Sequence, residues 1–538
     1  MKRRNRTVTA ACALSLALLM TGCGAQGGKE GAEGEKEIAP SENMNLTGFP
    51  IVNEPIQLTF LAGAAPTSNS NWNTVRLFTE YAEMTNINVE WQMVPTDALH
   101  ERVNLLLASR DYPDAFHTAR LTIADIMKHG GEGTFIPLND LIDEYAPNFK
   151  KLLDDNEDLR KGLTMPDGNI YSFPTYYDPD FTYVLVSSPL WLNETWLEQL
   201  GMNPPATTDE FYNYLKAVKE TDLNGNGILD EIPYAGVRPD NLVNHLKGAW
   251  GLGNRGRSHP YVDVNPESGE LRFIPTDPRF KEIMEYVHKL YKEGLLNEDI
   301  YTITSNEFYA RGTEEGNYGS SIITSMETLM GLTNYVGAPA LEGPHGDRIF
   351  SFYGSPLAAP GSFVITNQNP YPAETVRWID YFYGDEGNLK FFMGWEGETY
   401  ETLPDGTLQY TENITNSPDG RTLEQVLMQS LTWAGGSYPG IVKESTFKAA
   451  LPAMIEAADR VAPYKPEEVW PAFSYMPDES QQMSQLLADI DAYVKEMQAK
   501  FITGGLDEWD RYVEQLNRMG LSEFMELYNA AYKRYKEG

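Results

Sequence analysis

Residues 222–231, Asp-Leu-Asn-Gly-Asn-Gly-Ile-Leu-Asp-Glu, have the residue types and spacing of a cation-binding loop. Oxygen-bearing side chains occupy positions one, three, five and nine, and Gly227 occupies position six, where an EF-hand-type calcium loop turns sharply. Position twelve holds Pro233 instead of the usual glutamate, so Glu231 has to supply that ligand. The alternative is a turn rich in glycine and asparagine that needs no metal. We predict a structural Ca²⁺ site formed by Asp222, Asn224, Asn226, the carbonyl of Ile228, Asp230 and Glu231.

Sequence motifs for covalent chemistry are not found. Residues 251–256, GLGNRG, match the dinucleotide fingerprint, but they follow no strand and lead into no helix. The chain has no nucleophile elbow, Walker loop or His-Glu-x-x-His motif, and its seven histidines are scattered. Its two cysteines are Cys12 and Cys23, so the folded part has no thiol chemistry. We predict that the protein is not an enzyme.

The elements that must position the loop begin near residue 51. Ile56, Leu58 and Phe60 alternate as in a strand, 71–84 has the pattern of a helix, and 87–94 alternates again. With a helix over 97–109, this βαβα order predicts an α/β fold with a parallel sheet. The C-terminal part is predicted to be helical, with Asp478 as N-cap. Its apolar stripe is expected to be core and consists of Leu486, Leu487, Ile490, Val494, Met497 and Phe501.

The N-terminus has the features of an export signal with a lipid-attachment site. Four basic residues precede an apolar run over 8–20, which is too short to span a membrane. The run ends in Leu-Met-Thr-Gly-Cys, which looks like the bacterial lipobox, with Met20 where leucine is usual. We predict a signal peptide over 1–22, a lipidated (palmitate-bearing) Cys23, and a flexible tether over 23–50. The alternative is an ordinary signal peptide with a chance cysteine.

The charge excludes one class of partner. Among 538 residues, 77 are acidic and 42 are basic, for a net charge of −35. Cleavage before Cys23 removes four basic residues and no acidic one, which takes the charge to −39. Such a surface repels polyphosphate, so no nucleic-acid partner is expected. It also favours a neutral ligand over a polyuronate.

Six segments carry a family resemblance: 105–116 (LLLASRDYPDAF), 135–153, 166–174 (PDGNIYSFP), 190–218, 380–387 and 500–521. Together they resemble family 1 extracellular solute-binding lipoproteins of ABC transporters, in particular the branch of alginate- and oligosaccharide-binding proteins. The resemblance implies a two-lobed, periplasmic-binding-protein-like (type II) fold whose hinges let the lobes close on a ligand. It implies lobe one at 51–180 plus 360–430 and lobe two at 181–359 plus 431–538. Relatives with a similar Asp-to-Glu loop use it for calcium.

Aromatic side chains in loops are the candidates for holding a sugar, because sugar C–H faces pack on rings while hydroxyls bind carboxylates and amides. Loops at these places face the cleft in the family. The resemblance therefore implies a ligand-binding role for Trp72, Tyr176, Tyr177, Trp250, Trp395, Glu396 and Trp433.

The resemblance predicts an extracytoplasmic solute-binding lipoprotein that delivers an oligosaccharide to the permease subunits of an ABC importer. The protein is expected to be a monomer that touches the membrane only through its lipid anchor. Two alternatives stay open: a secreted glycoside hydrolase, which also combines aromatic residues with paired carboxylates, and a calcium-stabilised surface adhesin that binds glycans.

Overall fold

The computed structural model describes residues 40–65, 69, 71–421, 423–431, 438–448 and 452–537. The predicted signal peptide, Cys23, most of the tether and Trp433 lie outside these residues.

Fourteen strands lie within the described residues. They are β1 Ile56–Ala64, β2 Ile87–Pro95, β3 Ala115–Leu121, β4 Ser172–Tyr177, β5 Leu190–Asn193, β6 Ile232–Tyr234, β7 Val262–Val264, β8 Leu271–Phe273, β9 Tyr318–Ile322, β10 Tyr335–Gly337, β11 Leu357–Ile365, β12 Tyr400–Thr402, β13 Leu408–Tyr410 and β14 Gly440–Val442.

Helices separate and cover these strands. They are α1 Arg76–Thr85, α2 Thr96–Ser109, α3 Ile123–Gly131, α4 Asn139–Tyr145, α5 Pro147–Asp155, α6 Glu157–Leu163, α7 Thr182–Val186, α8 Glu194–Leu200, α9 Thr208–Lys219, α10 Asp240–Leu246, α11 Pro278–Lys292, α12 Ser305–Glu315, α13 Met326–Met330, α14 Pro372–Asp380, α15 Asp385–Met393, α16 Glu412–Thr415, α17 Leu423–Ser430, α18 Pro452–Val461, α19 Pro477–Thr503, α20 Trp509–Arg518 and α21 Leu521–Glu537. Short 3₁₀ turns occur at Trp72–Thr74, Lys247–Trp250, Ile274–Thr276, Tyr381–Tyr383, Ala462–Tyr464 and Leu506–Glu508.

The first sheet has six strands in the order β14-β4-β11-β3-β1-β2. Strands β1, β2 and β3 are parallel to one another, β4 is parallel to β14, and β11 runs antiparallel to both of its neighbours. The carboxyl ends of β1–β4 and β14 therefore share one edge of the sheet. The predicted βαβα order is confirmed, except that the helix expected over 71–84 is a 3₁₀ turn followed by α1.

The second sheet has four strands in the order β10-β5-β9-β6. Its core continues into the C-terminal helices, because Leu190 and Leu192 of β5 belong to the same buried cluster as Ile490 and Phe501 of α19. The apolar stripe of α19 is largely core, as expected, but Leu487 is 40% exposed. A helix of 27 residues advances by 3.6 residues per turn, so a stripe drifts around it and one member can face solvent.

Two further details of α19 differ from the prediction. The helix begins at Pro477, and Met476 is its N-cap residue, which places Asp478 inside the first turn. Proline suits the first helical position because its missing N–H has no helical partner there, so the helix begins two residues earlier than the capping pattern suggests.

The chain passes between the two sheets three times within the described residues. It leaves the first sheet after β4 and enters the second at β5, returns between β10 and β11, and leaves again after β14. After β14, α18 packs against α7 and β10. We refer to these three passages as the crossovers.

Candidate functional site

The predicted calcium loop connects α9 to β6. Helix α9 begins with a capping box, in which Thr207 and Glu210 bond each other's backbone N–H groups. Phe211, Leu215 and Val218 anchor the buried face of the helix. The position of the helix therefore determines where residues 222–231 leave the core.

Asp222 organises the first half of the loop. Its Oδ1 accepts hydrogen bonds from the N–H of Gly225 at 2.8 Å and of Asn226 at 3.2 Å, and its Oδ2 accepts one from Gly227 at 2.8 Å. Gly225 and Gly227 have φ of 73° and 83°, a region that side chains with a Cβ rarely adopt. The two glycines thus let the chain fold around one carboxylate.

The second half of the loop collects around Asp230. The amide Nδ2 of Asn224 donates to Asp230 Oδ1 at 2.8 Å, and that of Asn226 donates to both oxygens at 3.1 and 3.0 Å. The Oδ1 atoms of the same two asparagines accept from the N–H groups of Asn226 at 3.0 Å and Ile228 at 2.7 Å, so these side chains hold the turn as well as Asp230.

The environment of the Glu231 carboxylate favours a bound cation. Its side chain is only 7% exposed. Oε1 accepts from the N–H groups of Leu223 at 2.6 Å and Asn224 at 3.0 Å, whereas Oε2 is buried and has no hydrogen-bond partner. A buried carboxylate oxygen without a partner is costly unless a donor or cation meets it. Oxygen-only ligands are also what calcium prefers, so the loop fits that ion.

Carboxylates alone would not complete this site. In the part of the chain that the structure describes, no three His, Cys, Asp or Glu side chains gather as a metal-binding cluster. A cation here needs the two asparagine oxygens and the carbonyl of Ile228, whose side chain is itself exposed. The predicted ligand set therefore remains a prediction.

Two of the sugar-binding candidates lie in the hydrophobic cores. Trp72 is fully buried and packs against Trp91 at a ring distance of 5.1 Å and His117 at 5.6 Å. Trp250 is also buried, and its Nε1 donates to Glu282 Oε2 at 3.0 Å. In this conformation neither ring offers a free face for stacking.

Tyr176 and Tyr177 end β4 at the carboxyl edge of the first sheet. Tyr176 is buried, its hydroxyl donates to Asn156 Oδ1 at 2.9 Å, and burial raises its pKa to about 12. Tyr177 is half-buried, and its N–H donates to Pro356 O at 2.8 Å. Because Pro356 immediately precedes β11, Tyr177 lies where two of the crossovers meet.

Trp395 and Glu396 lie apart from these tyrosines. The Trp395 Nε1 donates to Glu80 Oε2 at 2.8 Å, and its ring lies 4.0 Å from the Arg76 guanidinium and 4.4 Å from the Lys390 ammonium. Cations over the ring compete with a sugar for the same π-face. Glu396 is exposed, and its Oε1 accepts from the Thr402 hydroxyl. The candidates are thus spread over both sheets and do not form one cluster.

The carboxyl end of β3 is a candidate part of the site that the sequence patterns do not reveal. Thr118 and Arg120 have φ of 51° and 54°, which is strained for residues other than glycine, and β11 has an irregular register beside them. Arg120 is exposed at the same carboxyl edge as Tyr177. Backbone strain and bulges concentrate at functional sites, but neither is readable from a segment such as Ala115–Leu121.

Beneath this edge lies a buried histidine. His117 is 2% exposed, its Nδ1 has no partner, and burial lowers its pKa to about 3. The Nε1 of neighbouring Trp72 is likewise buried without a partner. The carboxyl end of the first sheet thus holds polar atoms that its own chain leaves unsatisfied.

A second strained turn marks the first crossover. Ser187 has φ 54° and ψ −37°, and the Ser188 N–H donates to Val186 O at 2.7 Å, which is the rare positive-φ form of γ-turn. The Arg257 guanidinium donates to Ser187 Oγ, and His245 Nε2 lies 2.9 Å from Ser188 O. Two side chains thus hold the turn between β4 and β5.

No helix among the described residues is both long enough and apolar enough to cross a lipid bilayer.

Comparison with known proteins points to one family. Residues 72–389 match the model of the family described as bacterial extracellular solute-binding protein. The chain is 27% identical to the fructooligosaccharide ABC transporter substrate-binding protein FusA of Streptococcus pneumoniae over 521 residues, which cover 94% of this chain and 95% of FusA. It is 25% identical to lipoprotein LipO of Bacillus subtilis, with 84% of this chain and 87% of LipO covered.

Solved structures share the fold. A solute-binding protein from Bifidobacterium longum infantis, described as binding HMO and associated with an ABC transporter, aligns with a TM-score of 0.75 and 23% identity over 90% of this chain and 99% of that one. A FusA variant described as an EF-hand mutant, in complex with fructo-nystose, aligns with a TM-score of 0.72 and 24% identity over 90% of this chain and 100% of that one. The predicted two-lobed α/β fold with a helical C-terminus is confirmed.

Proposed function

Because the chain belongs to the family of bacterial extracellular solute-binding proteins, we propose that it captures an oligosaccharide and delivers it to the permease of an ABC importer. It is a binding protein and not an enzyme, which removes the glycoside hydrolase alternative. The observation that supports an oligosaccharide as the ligand is the match to FusA over nearly the whole of both chains.

The proposed ligand site lies between the lobes, at the carboxyl edge of the first sheet. Ligands of open α/β sheets bind outside the carboxyl ends of strands, and this edge holds Tyr177 and the strained, exposed Arg120. We rank these two above Trp72 and Trp250, whose rings are buried. A guanidinium and an aromatic ring at the same sheet edge suit a sugar, since the guanidinium donates to hydroxyls while the ring packs on C–H faces. The net charge of −35 favours a neutral glycan.

The proposed motion is closure of lobe two on lobe one about the crossovers. The lobe boundaries remain as predicted from the sequence, with one refinement: the pairing of β14 with β4 favours extending lobe one to Val442. Contacts from a ligand to both lobes would stabilise the closed state, which is the form that a permease distinguishes from the open one.

We propose a lipid anchor at Cys23, by analogy with the lipoprotein LipO. A lipidated Cys23 followed by a polar tether would hold the lobes near the membrane as a monomer, within reach of the permease. Expression of Cys23→Ser in a bacterial host should release the protein into the soluble fraction. Retention of this variant in the membrane fraction would rule the anchor out.

We propose that the loop over 222–231 binds Ca²⁺ through Asp222, Asn224, Asn226, Ile228, Asp230 and Glu231. The unpartnered Glu231 Oε2 and the oxygen-rich loop support this proposal. A calcium ion would supply positive charge to three carboxylates and nothing else, so its role is structural. The loop side chains hold the ion, and the ligand binds elsewhere.

Calorimetry with a panel of neutral and uronate-containing oligosaccharides tests the function. The parent should bind at least one neutral glycan, and thin-layer chromatography should show no cleavage. Arg120→Ala should weaken binding about 10-fold or more, as expected for the loss of a hydrogen bond from a charged donor. Failure to bind any glycan, or turnover abolished by one carboxylate substitution, would contradict the proposal.

Arg110→Ala is the matched control for Arg120→Ala. Arg110 is also exposed, has φ of 60°, and precedes the same strand β3 at its opposite end. Its replacement should leave the affinity unchanged. Equal losses in both variants would place the ligand away from the carboxyl edge.

A further inference from the structure

Asn317 connects the calcium loop to the second sheet although it is far from the loop in sequence. It immediately precedes β9, 87 residues after Asp230. Its side chain is 6% exposed, and it belongs to no pattern that the loop sequence defines. Its contacts with the loop are therefore a product of the tertiary fold.

Asn317 donates one hydrogen bond and accepts another, and the two lie on either side of Glu231 in the chain. The amide Nδ2 of Asn317 donates to the carbonyl oxygen of Asp230 at 3.1 Å, and the backbone carbonyl of Asn317 accepts from the N–H of Ile232 at 2.9 Å. The backbone on both sides of Glu231 is thus attached to one residue of the sheet. The direction of the Glu231 side chain depends on that attachment.

One polar atom of Asn317 is left over. Because Nδ2 donates to a carbonyl, the amide orientation is fixed and Oδ1 points the other way. Asn317 Oδ1 is buried without a hydrogen-bond partner, as is Glu231 Oε2. Both atoms are acceptors, so neither can satisfy the other, whereas a cation with its bound water can satisfy both.

A second buried asparagine, Asn297, has hydrogen-bond partners at both ends of its side-chain amide. Asn297, 4% exposed, accepts from the N–H of Gly236 at 3.0 Å through Oδ1 and donates to Asp299 Oδ1 at 2.9 Å. Both ends of its amide are used within the protein. The contrast separates Asn317 from an asparagine that only fills the core.

We propose that Asn317 is a positioning residue of the calcium site. It holds Glu231 in the direction that the ion requires, and its free Oδ1 accepts a hydrogen bond from water bound at the loaded loop. The inference rests on the calcium site proposed above. It extends that site from a single loop to the edge of the sheet at β9.

Calcium titration of the full chain tests the assignment, with CaCl₂ added to EGTA-treated protein in a calorimeter and in thermal unfolding. Asn317→Ala and the volume-conserving Asn317→Leu should each weaken calcium binding about 10-fold to 100-fold, as residues that orient metal ligands do. Asn297→Ala is the matched control: it should lower the melting temperature but keep the calcium affinity within about 2-fold of the parent.

The outcomes separate the two levels of the proposal. A parent that binds no calcium overturns the calcium site and the role of Asn317 together. A parent that binds calcium, with unchanged affinity in both Asn317 variants, overturns the role of Asn317 alone. An equal loss of affinity in Asn297→Ala would show a general effect of lobe stability and would also overturn it. If Asn317→Ala does not fold, Asn317→Leu gives the same readout with the packing volume kept.

Discussion

At the scale of single residues, Asp222 illustrates how a carboxylate acts with and without an ion. It accepts three N–H groups of its own loop, so it holds the turn even when no cation is present. With calcium it would become a ligand as well. Its replacement therefore removes a turn-forming acceptor and a ligand together.

We expect Asp222→Ala to lower the melting temperature by at least as much as EGTA lowers that of the parent, and to abolish the further effect of EGTA. One kcal/mol corresponds to about 2–4 °C in a domain of this size. Differential scanning calorimetry in calcium and in EGTA measures both effects. Asp277→Ala, which removes an N-cap acceptor from α11 in the same lobe, should keep the EGTA effect. If EGTA leaves the parent unchanged, the calcium site is refuted.

His117 predicts how stability depends on pH. Its folded-state pKa of about 3 lies below the ordinary value of 6.5, because burial disfavours the charged ring. The unfolded chain takes up the proton first as the pH falls. The contribution of His117 is therefore present above pH ~6.5 and lost progressively toward pH ~3, by up to about 4 kcal/mol.

His117→Phe should make unfolding less dependent on pH between about 6.5 and 4. Phenylalanine suits the site because Trp72, Trp91 and Phe363 surround the ring. Urea unfolding at several pH values gives the slopes, and the exposed His100→Phe should keep the slope of the parent. Equal slopes for the parent and His117→Phe would show that this group does not titrate on unfolding.

At the scale of elements, the γ-turn at Ser187 connects the two sheets at a strained backbone position. A residue with a Cβ in this region costs about 1–2 kcal/mol, which glycine avoids. The Arg257 guanidinium and His245, both far along the chain from the turn, hold it through Ser187 Oγ and Ser188 O. Strain at a crossover is what a hinge can release when it moves.

Two substitutions separate strain from hydrogen bonding at this turn. Ser187→Ala loses the acceptor for Arg257 and keeps the strain, whereas Ser187→Gly loses both. We expect the glycine variant to be more stable than the alanine variant by about 1 kcal/mol in urea unfolding. The reverse order would mean that the turn is unstrained.

At the scale of the whole molecule, two sheets joined by three crossovers make relative motion of the lobes the expected response to a ligand. In small-angle scattering, the radius of gyration of the parent should fall when a glycan identified by calorimetry is added. Arg120→Ala should need more of that glycan for the same change. Binding without any fall would favour the adhesin alternative over delivery to a permease.

Local patterns in the sequence were sufficient to predict the first helices and strands of the first sheet and to identify residues 222–231 as an oxygen-rich loop. Alternation at Ile56–Phe60 and the 222–231 spacing depend on neighbours a few residues away, and such patterns survive without knowledge of the rest of the chain. The family resemblance supplied the lobes, since crossovers such as Gly337 to Leu357 leave no local signal.

The aromatic candidates show where the sequence reached its limit. Trp72 and Trp395 both stand beside small or polar residues, yet one is fully buried and the other lies beneath two cations. Their surroundings come from residues such as His117 and Arg76 on other elements. Loop composition indicates that a ring is outside a helix or strand, and it does not indicate what covers the ring.

The sequence by itself determined the α/β class, the oxygen-rich loop and the resemblance to the family. Only the tertiary structure decided which tryptophans are buried, that Thr118, Arg120 and Ser187 are strained, and that Asn317 reaches the loop from β9. The physical reason is the separation along the chain over which each kind of interaction acts. Periodicity and turn chemistry act between near neighbours, whereas burial, strain and the pairing of polar atoms depend on which distant segments the folded chain brings together.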